Sequence, residues 1–171
     1  MVQVNPPGSP LTDSAELAPL ARAIGRIPTG LYVVTTVAQG KPIGFVGSFL
    51  MQVGFAPPTL CIAVGKERGP LAAMRARGRF AVSILDGASS NLMGAFFRKY
   101  TAGDSPFEHV AHARSPSGLA ILSDALAWLD CKTTGEHETG DHVVVFGTVE
   151  HGAVQREGDP SIHLRKNGLE Y

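Results

Sequence analysis

Six short runs rich in β-branched and aromatic residues, each bounded by Gly or Pro, constrain this chain more than any other feature. They are Leu31–Val37, Ile43–Leu50, Thr59–Val64, Arg79–Leu85, Ala125–Thr134 and His142–Glu150. Runs of this length and composition read as strands. Ala38–Pro42 reads as the turn of an antiparallel hairpin, and Gly44 and Gly47 mark places in its second strand where backbone can approach another group closely. Helical spacing is confined to three segments. Leu17, Leu20, Ala21 and Ile24 follow a capping-box pair, Asp13 and Glu16; Leu71–Arg77 follows Gly69-Pro70; Leu92, Met93, Phe96, Phe97 and Tyr100 form one apolar face, read as core packing. Thr101–Gly118 has no period and reads as a surface excursion. Strands joined by short turns, with helices only in the connections, predict a mainly β barrel or sandwich rather than an alternating βαβ sheet.

A length of 171 residues predicts a single domain over 1–171, with residues 1–10 as a flexible N-terminus. The 44% hydrophobic content supports a packed core, and 15 basic against 15 acidic residues give no global field that would attract nucleic acid or an anionic membrane. No apolar run approaches the roughly 20 residues of a membrane span, and Met1–Pro10 does not read as a secretory leader, so the expected compartment is the cytoplasm. Cys61 and Cys131 lie in apolar runs without CxxC spacing and read as small buried hydrophobes. The phosphate-binding GxGxxG and GxxxxGK[ST] patterns are absent, as is a GxSxG elbow. The six histidines form neither HxxxH nor HExxH, and no metal site is expected.

Two segments could carry chemistry. Lys66, Arg68, Arg75, Arg77 and Arg79 stand against one acid, Glu67, just before and along a predicted helix. The cluster reads either as an anion clamp using Arg68 and the helix N-terminus, or as a solvated face. Gly140-Asp141-His142 stands immediately before a strong strand, so His142 is either a structural turn histidine or a site residue at a strand edge.

Taken together, Ile27-Pro-Thr-Gly-Leu-Tyr-Val-Val-Thr-Thr36, Gly44-Phe-Val-Gly-Ser-Phe49, Ala56-Pro-Pro58, Phe80-Ala-Val-Ser-Ile-Leu85 and Gly140-Asp-His-Val-Val-Val-Phe-Gly-Thr-Val149 resemble the flavin reductase-like, FMN-binding split-barrel family, from about residue 20 to the C-terminus. Within it the chain is most similar to the flavin reductase modules of flavodiiron proteins, which carry a basic, aromatic tail like Ser161–Tyr171. The resemblance implies a six-stranded antiparallel Greek-key barrel with peripheral helices, a homodimer, and one FMN per subunit, with FAD as the alternative flavin. It implies flavin-binding positions at Thr35, Gly44, Val46, Gly47, Ser48, Phe49, Lys66, Arg68, Ser83 and Arg165. Lys66 and Arg68 would hold the phosphate, Ser83 would lie near the ribityl chain, and Gly44 and Gly47 would leave room for the ring. Similar proteins often have Thr-Ser-Ser-Phe or Thr-Ala-Ser-Phe where this chain has Val46-Gly47-Ser48-Phe49.

His142 matches the histidine that packs beside the nicotinamide of NADH or NADPH in similar reductases. The implied activity is an NAD(P)H:flavin oxidoreductase; the alternatives are a flavoredoxin-like FMN electron carrier and a non-catalytic split-barrel module for flavin or haem. Arg98, Lys99 and Arg114 are candidates for a 2′-phosphate contact. Electron acceptors compatible with the resemblance are free flavin used by a monooxygenase component, ferric iron, or a flavodiiron or rubredoxin-type protein.

Overall fold

The computed structural model describes residues 19–97, 105–166 and 168–169. The predicted helix start at Asp13–Leu17, together with Arg98, Lys99, Tyr100 and residues 101–104, lies outside them. In chain order the elements are α1 (Pro19–Ile24), β1 (Thr29–Gly30), β2 (Tyr32–Ala38), β3 (Lys41–Gly47), β4 (Leu50–Phe55), β5 (Pro58–Gly65), α2 (Gly69–Arg77), β6 (Arg79–Ile84), α3 (Met93–Phe97), β7 (His112–Arg114), β8 (Ala120–Leu122), β9 (Ala127–Thr139), β10 (His142–Val154) and β11 (Ile162–His163). The described residues form two compact units, one within 30–161 and one from the chain ends, 19–29 with residues between 162 and 169.

The larger unit is organised by one antiparallel sheet in the order β3-β2-β6-β9-β10-β5-β4. Its two edge strands, β3 and β4, are consecutive in the chain and joined only by Ser48 and Phe49. Seven flat strands at about 4.8 Å spacing would hold those edges roughly 29 Å apart. Three Cα–Cα steps, from Gly47 to Leu50, reach at most about 11 Å. The sheet must therefore curl until its edges meet at that end, which makes an open, split barrel closed by the chain rather than by a ladder. The sequence expectation was six strands with a single strand over Ile43–Leu50. Seven form because this run breaks at Ser48–Phe49 and its last residue begins a strand on the opposite edge.

Patterning explains why β2 and β6 are nearly continuous in β-branched and aromatic residues. Val34, Phe80 and Val82 point into the barrel core with Phe45, Leu60, Ile62, Val64, Val143 and Val145, and Leu71 and Met74 of α2 join them. Val33, one residue from Val34, packs on the other side of the sheet with Leu85, Phe107, Val110, Ala120 and Leu122. A strand buried on both faces has no polar alternation. The long excursion 101–118 is thus more than surface: Phe107 and Val110 are buried in this second core, and Phe96 meets Phe107 edge to face at 5.4 Å. Its isolated apolar residues carry no period that could announce them. The α3 stripe divides as well, since Leu92, Met93 and Phe96 pack inward while Phe97 is 70% exposed.

Gly147, in the motif that begins at Gly140, has a packing reason. A Cβ there would stand 2.6 Å from Cε1 of the fully buried Phe80. Cys131 is buried, and burial pushes its thiol up to about 12, as expected for a small hydrophobe rather than a nucleophile. In the terminal unit the Gly168 amide donates to the Ala21 carbonyl at 3.2 Å, and Thr29 donates to the His163 carbonyl. No helix among the described residues is long and apolar enough to cross a membrane.

Candidate functional site

The ladder between β5 and β10 sets His142 directly opposite Gly65, so the end of one strand meets the basic loop that follows the other. The Lys66 amide donates to the Asp141 carbonyl at 3.0 Å and the Arg68 amide to the Gly65 carbonyl at 3.0 Å, which fixes the loop against the β9–β10 turn. The His142 ring is largely covered, with 16% of its side chain exposed. Its Nδ1 lies 2.8 Å from Asp141 Oδ1, and the ring makes a T-shaped contact with the Phe49 ring at 5.9 Å between centroids. That hydrogen bond holds the Asp141 carboxyl below the usual carboxylate range. Phe49 is itself held by its carbonyl, which accepts from the Ala63 amide at 3.0 Å. Ser48 beside it is buried.

Next along the loop, the Lys66 ammonium lies 2.9 Å from Glu138 Oε2, and the Arg68 guanidinium stands 6.0 Å from the centroid of the buried Phe45 ring. Arg68 is also the N-cap of α2. It is extended and gives no side-chain cap to the first turn, and a Cβ on neighbouring Gly69 would meet nothing within 4 Å. A guanidinium, an ammonium and an uncapped helix start beside open space form a donor set that fits an organic phosphate. The adjoining Phe49 and His142 rings suit a planar partner. The residues present therefore fit a phosphate-bearing flavin at this end of the barrel.

The other sequence-predicted positions make contacts within the protein or belong to the terminal unit. Thr35 is buried and donates to the Ala120 carbonyl at 2.5 Å, and Ser83, with no exposed surface, accepts from the Leu122 amide at 3.0 Å. Both hydroxyls are buried and anchor β8 to the barrel. A Cβ at Gly44 would meet Phe96 and Phe107, and one at Gly47 would meet Ile62, Phe45 and Val34, so at both glycines the protein's own side chains pack against the backbone. The Val46 side chain packs on the second core. Arg165 belongs to the terminal unit. Arg114 is exposed, and its Nη1 donates to the Gly118 carbonyl at 3.1 Å.

The excess of basic charge over 66–79 is largely cancelled in space. Arg75 forms a two-pronged pair with Glu136, Arg79 meets Glu150 and lies 3.5 Å from Asp130, and Arg77 donates to the Ser117 carbonyl. Glu136 and Glu138 were not singled out by sequence reasoning, and Asp141 entered it only as part of the Gly140–His142 element. Glu136 and Glu138 alternate along β9, but they lie more than 60 positions from their cations, and only the ladder shows the pairing. Among the described residues no group of three metal-ligating side chains could hold a metal ion.

A curled antiparallel sheet split at Ser48–Phe49, with a histidine, an aromatic ring and a phosphate-compatible loop at that end, defines a flavoprotein-type split barrel. Residues 24–168 match the flavin reductase like domain, and the chain belongs to that family. It is 35% identical over 154 residues to diflavin flavoprotein A 1 of Synechocystis sp., covering 89% of this chain and 27% of that protein. The chain thus spans about a quarter of the length of the curated relatives it matches. Among solved structures it resembles the NADH:FAD oxidoreductase of Streptomyces globisporus C-1027, with a TM-score of 0.79 and 27% identity, covering 91% of this chain and 93% of that one. It also resembles a homologue of nitrilotriacetate monooxygenase component B from Mycobacterium thermoresistibile, with a TM-score of 0.78 and 29% identity, covering 85% and 80%.

Proposed function

We propose that the protein is an NAD(P)H:flavin oxidoreductase that uses FMN, with FAD as the alternative flavin. The observation that carries this reading is the convergence of His142, Phe49, Lys66 and Arg68 on one end of the barrel. Its solved likeness named as an NADH:FAD oxidoreductase supports it. When bound, the flavin supplies the redox chemistry by taking a hydride at N5 from nicotinamide C4.

The chain's own part is binding and alignment. Lys66 and Arg68 hold the phosphate, and the backbone around Val46–Phe49 orients the ring edge. His142, tethered by Asp141 and braced by Phe49, sets the face on which the nicotinamide stacks. No side chain need move a proton. Anaerobic titration with FMN, followed by NADH or NADPH, tests the reading through loss of the flavin's visible absorbance. His142→Ala should slow that bleaching about 10–100-fold while changing FMN affinity little. An equal loss in both would remove His142 from the nicotinamide site.

The relatives named as diflavin flavoproteins favour delivery of electrons to a protein acceptor of flavodiiron type as the second reading. Tight FMN binding without bleaching would select it. The same reading includes a homodimer. Met51, Val53 and Phe55 on edge strand β4 are 61%, 44% and 89% exposed, an apolar strip of the kind that a second copy covers. Sedimentation at micromolar concentration should give twice the mass of the chain.

A further inference from the structure

The Lys66–Glu138 pair has features that separate it from an ordinary fold-holding salt bridge. The Glu138 side chain is 68% exposed and the Lys66 side chain 35% exposed, a degree of hydration at which an ion pair adds little to stability. The loop does not depend on it: the Lys66 amide is held by the Asp141 carbonyl and Thr139 Oγ1 donates to the His142 carbonyl. The position of Glu138 is set by β9, where it stands opposite Val143 in the ladder. The fold thus presents a carboxylate to the one lysine of the phosphate loop, on a strand whose register requires no such pair.

We propose that Glu138 is an affinity-setting residue that competes with the flavin phosphate for Lys66, keeping FMN an exchangeable ligand. The proposal rests on the flavin-binding reading above. A phosphate that takes the ammonium must displace the carboxylate or lie close beside it, and two anions on one cation repel. Glu136, two residues away on the same face of β9, is the internal control. It is committed to Arg75 through two hydrogen bonds of 3.0 and 2.8 Å, and Arg75 is not in the Gly65–Arg68 loop.

The test compares FMN with riboflavin, which carries the same ring and no phosphate, by flavin fluorescence titration of the full chain at low salt. Glu138→Gln keeps the side chain's shape and removes its charge. It should tighten FMN about fivefold and leave riboflavin within a factor of about two. Glu136→Gln should change neither by more than about twofold. High salt should shrink the difference between Glu138→Gln and wild type, because the competition is electrostatic.

Unchanged or weaker FMN binding by Glu138→Gln overturns the proposal, as does equal tightening of FMN and riboflavin. An equal effect of Glu136→Gln overturns it too, since that would mark a general field rather than competition at one ammonium. Lys66→Met separates this failure from failure of the underlying reading. If it leaves the ratio of FMN to riboflavin affinity at the wild-type value, the phosphate does not use Lys66; if neither flavin binds the wild type, the flavin-binding reading itself falls.

Discussion

Two polar clusters of the barrel unit use the same residue types and differ in access to water. In one, the Asp86 carboxylate, 7% exposed, takes Arg156 at 2.5 and 2.6 Å, the Ser89 amide at 2.9 Å and the Ser89 hydroxyl at 2.8 Å, while Arg156 also reaches the Asp124 carbonyl. In the other, the side chains of Glu138 and Asp141 are 68% and 91% exposed, and they meet Lys66 and His142 respectively. The buried cluster ties the segment after β10 to the end of β6, with the Ser161 amide on the Leu85 carbonyl completing the clasp. The exposed cluster closes nothing that the backbone has not already closed. A partner that water can replace is one that a ligand can replace, which places exchangeable chemistry at the His142 end and architecture at the Asp86 end.

The largest effect expected is at Asp86. Hydrogen bonds from Arg156, followed by those from Ser89, hold its carboxyl well below the usual carboxylate range. A depressed folded-state value means that the unfolded chain binds the proton more readily, so the stabilisation is complete above about pH 4 and is lost as pH falls toward the folded value. Asp86→Asn should lower Tm by roughly 5 °C or more at neutral pH and flatten the acid limb of stability below about pH 4, as measured by urea unfolding across pH 2–6. An unchanged acid limb would break the contrast between the clusters. Next is Ser83→Ala, which strips the acceptor from the buried Leu122 amide and should cost about 1–3 kcal/mol, read by thermal unfolding. FMN affinity should stay at the wild-type level; a loss of flavin without a loss of stability would return Ser83 to the ribityl chain.

The β runs and their turns were legible in the sequence because composition and Gly or Pro boundaries are local properties. The break at Ser48–Phe49 was not. Nothing local distinguishes a strand that continues from one that crosses to the far edge of a curled sheet. Lys66, Arg68, Phe49 and His142 were reached through their motifs, and the structure brings these four together. Thr35 and Ser83 came from the same motifs and lie inside the protein, where their hydroxyls bond the carbonyl of Ala120 and the amide of Leu122, two groups in β8. A short strand inside an aperiodic stretch leaves no signal of what it will cover. The charge run illustrates the same limit, for its compensating acids are supplied by β9 and β10 rather than by its neighbours in sequence.

The smallest effect sharpens the comparison most, because it asks whether an exposed hydrogen bond can matter to chemistry without mattering to the fold. Asp141 holds one nitrogen of His142 at 2.8 Å, leaving Phe49 to brace the ring in its T-shaped contact. Removing the tether loosens the orientation of the imidazole, while the turn stays in place through the Lys66 amide and the Asp141 carbonyl, a backbone bond that any residue at 141 retains. Asp141→Ala should therefore leave Tm within about 2 °C of wild type and slow flavin bleaching by NAD(P)H about three- to tenfold, with FMN affinity unchanged. Asp141→Asn, whose amide oxygen can still accept from the ring N–H, should recover most of that rate. In the His142→Ala background the Asp141 substitution should have no further effect, since a residue that acts by positioning another loses its role when the other is gone. Additive losses would show instead that Asp141 touches the nicotinamide or the flavin itself.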